Sequence, residues 1–347
     1  MQSIRSRGRL AMTALALSIV IGSATSAFAS PREHRAKRQD QPVDLSGVTL
    51  HVADQLDSLK TVLKASGEDK NVPYEISWSS FIGGPAVIAA EVGGSVDVGF
   101  MAETPVVFAQ AAENPIKVVG ASRTIDPKTS NLAIVVKPDS PITKVSQLKG
   151  KNVGIQTGTV VQYLLVKALE KAGLKYTDVQ ALNFPGLGGQ AAFDNGDVDA
   201  AVTADPFLSN QLLEKKGRIL TTGAGLTAGL QYLVARDGAL GDKKLDAALA
   251  DFVPRVARAY QWYAAHPTEA AAIATSTFRI PPAAALQAVK RAPTAYQPID
   301  ASIIAAQQSE ADTFLALGVL QKKLDVAKAF DKRYNKLVAA VAAAKAG

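Results

Sequence analysis

The sequence predicts an α/β fold of two lobes, and three observations carry that reading. The 347 residues exceed one average domain, so two units can each bury a core. Short β-branched runs alternate with apolar-periodic helical stretches, the pattern of βαβ crossovers and a largely parallel sheet. The alternation comes in two successive sets, followed by a long helical tract.

At the N-terminus, Arg5, Arg7 and Arg9 precede an apolar run from Leu10 to Ile21 and small residues ending in Ala27-Phe28-Ala29. This is the layout of an export signal, expected to be cleaved after Ala29. Residues 30–46, including the basic run Arg32 to Arg38, read as a flexible leader. Without the three signal arginines the formal net charge falls from +7 to +4, so basicity says little about partners. No Lys/Arg cluster interleaved with aromatics points to nucleic acid. Cysteine is absent, which removes disulfides, thiolate metal sites and the lipid-bearing cysteine of tethered exported proteins. A freely diffusing periplasmic protein, expected to be a monomer, follows from that reading.

The first set of strands reads as Val48 to Val52, Tyr74 to Trp78, Val96 to Phe100 and Ile116 to Val119. The second reads as Leu132 to Val136, Asn152 to Ile155, Val179 to Leu182, Val198 to Thr203 and Gln231 to Ala235. Gly94-Ser95-Val96-Asp97 and Gly196-Asp197-Val198-Asp199 share the form G-x-V-D, each closing a helix and opening a strand. Beyond Leu240 the pattern is helical, with Pro254, Pro267, Pro281-Pro282, Pro293 and Pro298 expected to punctuate successive segments. The simplest assembly places residues 47–132 and 237–347 in one lobe. Residues 133–236, with two crossing strands, make the other.

Three helices share a starting grammar: Gly84-Pro85, Thr104-Pro105 and Thr159-Val160. Proline suits the first helical position, and threonine or glycine before a helix caps free amides. Each start alone is ordinary cap chemistry. Converging starts would make an anion site without a formal cation. Gly83-Gly84 permits close backbone approach, and Thr157-Gly158-Thr159 offers two hydroxyls and a flexible amide. Asp205-Pro206-Phe207 follows a strand, where open α/β sheets place ligands. Asp205 also reads as a helix cap, and Phe207 as a surface for an apolar tail.

Signals for catalysis are weak. His34, His51 and His266 lack metal-ligand spacing, and neither a G-x-S-x-G elbow nor a phosphate loop is present. No metal and no cofactor is expected.

The chain resembles the aliphatic sulfonate, nitrate and taurine class of ABC transporter substrate-binding proteins. The resemblance runs from Val48 to about Asp325 and rests on Trp78 to Pro85, Ala102 to Gln110, Asp139 to Ile142 with Leu148 to Lys151, and Tyr163 to Leu165. Ala192 to Asp199, Asp205 to Phe207, Pro298 to Asp300 and Ala306 to Gln308 extend it. It implies a type II periplasmic binding protein fold, two crossing strands, lobe closure on a small anion, and a membrane permease and ATPase as partners. In that class helix starts and hydroxyls meet the acidic group, which matches Gly83, Gly84, Thr104, Thr157 and Thr159; Glu103, Gly158, Asp205 and Phe207 complete the set of residues expected to bind ligand. The resemblance adds Gln55, at the end of the first strand. It implies no catalysis, although a lyase or hydrolase using Glu103 or Asp205 as base, or a sensory module, would fit the same scaffold. Ala204 stands where the class carries a bulky aromatic, and Gly186-Leu187-Gly188 replaces a more polar stretch. Both departures predict a wider cleft and a larger or aromatic sulfonate in preference to taurine.

Overall fold

The computed structural model describes residues 43–186 and 188–344. The expected export signal, its cleavage point after Ala29 and most of the leader lie outside the described residues. Two sheets organise the rest. The first has the order β11-β4-β10-β3-β1-β2, from β1 (Thr49–Gln55), β2 (Glu75–Phe81), β3 (Val98–Ala102), β4 (Ile116–Thr124), β10 (Leu230–Arg236) and β11 (Thr294–Gln297). The second has the order β7-β6-β8-β5-β9, from β5 (Leu132–Val136), β6 (Asn152–Ile155), β7 (Gln180–Asn183), β8 (Ala200–Ala204) and β9 (Arg218–Thr222).

Each sheet is built around a parallel trio. In the first, β1 runs parallel to β2 and β3, and β10 lies antiparallel to β3. In the second, β6 runs parallel to β7 and β8, and β5 lies antiparallel to β8. The two G-x-V-D segments set both trios by one device. Asp97 donates its N–H to the His51 carbonyl at 2.7 Å, and its carboxylate accepts the His51 N–H at 2.9 Å. Asp199 does the same with Asn152, at 2.9 Å in each direction. Gly94 and Gly196 make the preceding turns at φ 74° and 85°. What reads in sequence as turn chemistry is thus a strand-alignment motif used twice.

Connecting segments 125–131 and 223–229 carry the chain between the sheets, and they are bonded where Thr124 donates its N–H to the Gly229 carbonyl at 3.0 Å. Read as a crossing strand of the second lobe, 231–235 instead lies inside the first sheet, paired to β3 and β4. Each sheet has its own core: Met101, Val118, Tyr232 and Ile303 pack on the first, and Ile134, Val153, Leu164 and Leu165 on the second. Burying such a side chain contributes about 1.5–3 kcal/mol.

The helices that matter to the site follow strands: α1 (Ser58–Ser66), α2 (Gly84–Val92), α3 (Thr104–Ala111), α4 (Val160–Lys171), α5 (Gly188–Asn195) and α6 (Phe207–Leu213). After β10 come α7 (Asp237–Gly241), α8 (Lys243–Ala265), α9 (Pro267–Phe278), α10 (Pro282–Arg291), α11 (Ala301–Ala316) and α12 (Asn335–Ala344). Pro254, expected to interrupt, sits inside the 23-residue α8. Its lost amide bond is tolerated because Phe252, Val253, Pro254 and Ala257 form a buried face. Two strands escaped the sequence reading, β9 and β11. Both are short edge strands without a long apolar run.

Glu91 on α2 is buried at 1% exposure, and among the described residues neither carboxyl oxygen has a hydrogen-bond partner. Burial pushes its pKa well above the ordinary 4.5. The unfolded chain releases this proton near 4.5, so the stability tied to the protonated form is full below that pH and is lost as pH rises toward the folded value. Glu91→Gln is therefore expected to exceed the parent in stability at pH 8 by about 1–3 kcal/mol, with the gap closing toward pH 4. Urea denaturation at both pH values reads this, and parallel curves would contradict it.

Candidate functional site

A cavity of about 260 Å³ lies where the carboxyl ends of both parallel trios meet. Gln55 ends β1, Gly83 and Gly84 follow β2, and Ala102 ends β3. From the other side come Ile155 and Gln156 at the end of β6, Phe184 beyond β7, and Thr203 and Ala204 on β8. This is the place where open α/β sheets bind ligands. Among the described residues lining it, none carries an ionisable side chain.

The polar groups that remain are backbone, side-chain amide and the hydroxyls of Thr159 and Thr203. α2 starts at Gly84 and α4 at Val160, and neither helix has a side-chain cap. Among the described residues no acceptor meets the N–H groups of Gly84, Val160 or Val161. An α-helix leaves its first amides without intrahelical partners and carries a partial positive charge there. Thr159 does not cap α4; its hydroxyl donates to the Gln156 carbonyl at 2.7 Å and fixes the turn. Gln55 Nε2 donates to the Phe100 carbonyl at 2.9 Å, which holds its side chain at the cavity wall. Gly83 is required: its φ is 86°, and a Cβ there would stand 2.7 Å from Gln156 Nε2 across the cleft.

Of the ten residues singled out in the sequence, the cavity gathers Gln55, Gly83, Gly84, Thr159 and Phe207. Thr157 and Gly158 face a separate apolar recess with Pro85, Pro105, Phe108 and Val319. Their amides are already spent, Thr157 N–H on Asn183 Oδ1 at 2.9 Å and Gly158 N–H on Gln162 Oε1 at 2.8 Å. Thr104 is wholly buried, and its hydroxyl donates to Glu310. Glu103 is 2% exposed and does not line this cavity. Burial raises its pKa to about 7, opposed by backbone amides and by Arg123. Gln307 ties this cluster together, donating to the Glu103 carbonyl at 3.1 Å and accepting from Tyr232 at 2.8 Å.

Asp205 is also engaged. Its carboxylate accepts from Ser209 N–H at 3.0 Å and Ser209 Oγ at 2.6 Å, and pairs with Arg291 at 2.9 Å. Burial still holds its carboxyl above its ordinary value. Neither carboxylate considered as a base therefore lies in this cavity. Sequence reading missed Gln156 and Gln190, which put side-chain amides on the lining. The one available signal was the place of Gln156, directly after β6. Ala204, Gly186 and Gly189 do line the cavity, so the departures seen in sequence fall on its wall.

The bodies touch on both sides of the cleft. Tyr163 on α4 packs against Phe314 on α11 with ring centroids 5.8 Å apart, and Asp205 after β8 pairs with Arg291 on α10.

Comparisons with known proteins bear on this arrangement. Residues 86–270 match the model of the NMT1/THI5-like family. A protein of Escherichia coli (strain K12), provisionally named an aliphatic sulfonates-binding protein, is 34% identical over 282 residues, 80% of this chain and 86% of that one. The alkanesulfonate-binding protein of Xanthomonas axonopodis pv. citri bound to MOPS superposes with a TM-score of 0.75 at 28% identity, covering 82% of this chain and 98% of that one. The periplasmic aliphatic sulphonate binding protein from Escherichia coli superposes at 0.72 with 30% identity, covering 84% and 99%. The two-sheet architecture is that of these periplasmic binding proteins.

Arg291→Met is expected to strand the buried Asp205 carboxylate and lower stability by about 2 kcal/mol. A lower urea midpoint would register the loss. Adding Asp205→Asn should recover part of it, whereas strictly additive losses would refute the pairing.

Proposed function

The chain belongs to the NMT1/THI5-like family, and on that premise we propose that it is the solute-binding component of an ABC importer, capturing an aliphatic or larger sulfonate by lobe closure. One observation carries the choice of anion. The lining offers uncapped helix amides and side-chain amides but no formal cation. Such a site suits a monoanion whose charge is spread over several oxygens, because each oxygen can accept a separate N–H. A dianion would lack a countercharge in a desolvated cavity.

The relatives support the reading, since one carries alkanesulfonate binding in its name and is bound to MOPS, itself a sulfonate. Capture would hold Gly83 and Gln156 together across the cleft, so affinity reflects how strongly ligand favours the closed form. The closed protein would then dock on a membrane permease driven by an ATPase. No bond in the ligand breaks. We place the protein in the periplasm, with residues 1–29 as its export signal; mass spectrometry of the exported protein should give an N-terminus at Ser30. A retained Met1 would contradict that assignment.

Calorimetry is expected to give saturable one-to-one binding of ethanesulfonate and MOPS, with ethylphosphonate dianion bound more weakly. Thr159→Val should weaken ethanesulfonate binding about tenfold, because the hydroxyl that holds the α4 turn is gone. Failure of every small sulfonate to bind would sink the sulfonate reading.

A further inference from the structure

The interior does not end at the first cavity. A second one, of about 260 Å³, shares Gln55, Leu56 and Phe207 with it and extends toward the connecting segments at Thr124 and Gly229. A third, of about 220 Å³, shares Phe100, Gln231 and Phe278 with the second and lies against α8, α9 and α10. Ligand pockets for drug-sized molecules run to about 300–1,000 Å³, so the first cavity alone is small for one.

The three differ in chemistry. The first has amide and hydroxyl groups on a largely apolar wall. At the junction of the second and third stand Asn131, Gln231 and Asp205, and Asp205 is occupied by Ser209 and Arg291. That leaves an amide collar, with Glu103 on the wall of the second cavity, its Oε1 without a hydrogen-bond partner among the described residues and its pKa raised by burial to about 7. The third is aromatic. Tyr260 lies 5.9 Å from the Phe100 ring and 6.4 Å from Tyr263, and Phe278 lies 6.4 Å from Phe207. These spacings are the ones aromatic rings prefer, so an added ring would meet edges and faces already in register. Ala288 and Ala292 form part of its wall, and their small side chains leave the space open.

We propose that the third cavity is the tail chamber of the same site and that the ligand is a sulfonate ending in a ring. Its sulfonate rests on the amides of α2 and α4, its linker passes Phe207 and the collar of Asn131 and Gln231, and its ring sits beside Phe100, Tyr260 and Phe278. This inference rests on the sulfonate reading. A short alkanesulfonate fills only the first cavity and leaves the aromatic chamber without a partner.

The test compares ethanesulfonate with 4-phenylbutane-1-sulfonate by calorimetry on the mature protein. The phenyl compound is expected to bind about tenfold or more tightly, the gain of burying a ring. Ala288→Phe, which fills the chamber, should abolish that gain while ethanesulfonate affinity stays within about twofold of the parent. Phe278→Ala, which removes one ring without crowding the helices, should reduce the gain in the same selective way. Ethanesulfonate binding with no advantage for the phenyl compound overturns the tail chamber and leaves the sulfonate reading standing. Equal weakening of both ligands by both variants also overturns it. Binding of neither sulfonate to the parent removes the sulfonate reading and the chamber together.

Discussion

The candidate site depends on a few backbone amides that meet no acceptor among the described residues. The N–H groups at the starts of α2 and α4 stand at a cleft whose described lining carries no ionisable side chain. Amides left without intrahelical partners are met by water, side chains or ligand oxygens, so these are the donors the cleft can offer an acceptor. Helix dipoles supply the remaining attraction without titrating, and so the site holds the same charge character across the pH range in which the fold survives. The demand for close approach then fixes local residues. Gly83 has to be glycine because its φ is 86° and Gln156 approaches from the opposite body.

Placing those amides together is the work of the two parallel trios. β1, β2 and β3 end at one wall of the cavity and β6, β7 and β8 at the other. Parallel strands leave their carboxyl ends on one edge, and the helices that follow begin there, so both sheets aim helix starts into one space. The aspartates of the G-x-V-D segments hold each trio in register through the same pair of bonds to a neighbouring strand. Antiparallel β10 and β5 close each trio on its other side, next to the two connecting segments. The bond from Thr124 to Gly229 continues the β4–β10 ladder to the root of those segments, and the Tyr163 and Phe314 contact couples the two bodies.

Much of this was legible in sequence, and the reasons it was or was not are physical. Central strands such as Leu132 to Val136 are buried throughout, so they read as unbroken apolar runs. β11 is four residues long between two prolines, and β9 lies at an edge beside charged residues, so neither presents that pattern. Pro254 misled because a proline's local cost was outweighed by packing along α8. At the site, the turn from Gln156 to Thr159 could be located, but not which of its amides was free. That depended on Asn183, 26 residues away and brought to Thr157 only by the fold, and on Gln162 in the first turn of α4, whose side chain reaches back to the Gly158 amide. Glu103 and Thr104 look like site residues in a string of letters. Burial against Glu310 turns Thr104 inward, and Glu103 lines the second cavity instead of the first.

A division of labour follows from which atoms face the cavity. The part at the starts of α2 and α4 is made largely of main-chain groups, whose positions are set by strand ends and do not change when surface side chains change. The part toward Phe184, Gly186, Ala204 and Phe207 is made of side chains or their absence. Substitution there alters volume and shape while leaving the amides in place. Members of one family can therefore keep one head group and diverge in the tails they accept. Ala204 and Gly186 are where this chain departs from the sulfonate-binding pattern, and both stand on that variable wall, so under the proposed function the departure bears on the ligand's tail and leaves its acidic group untouched.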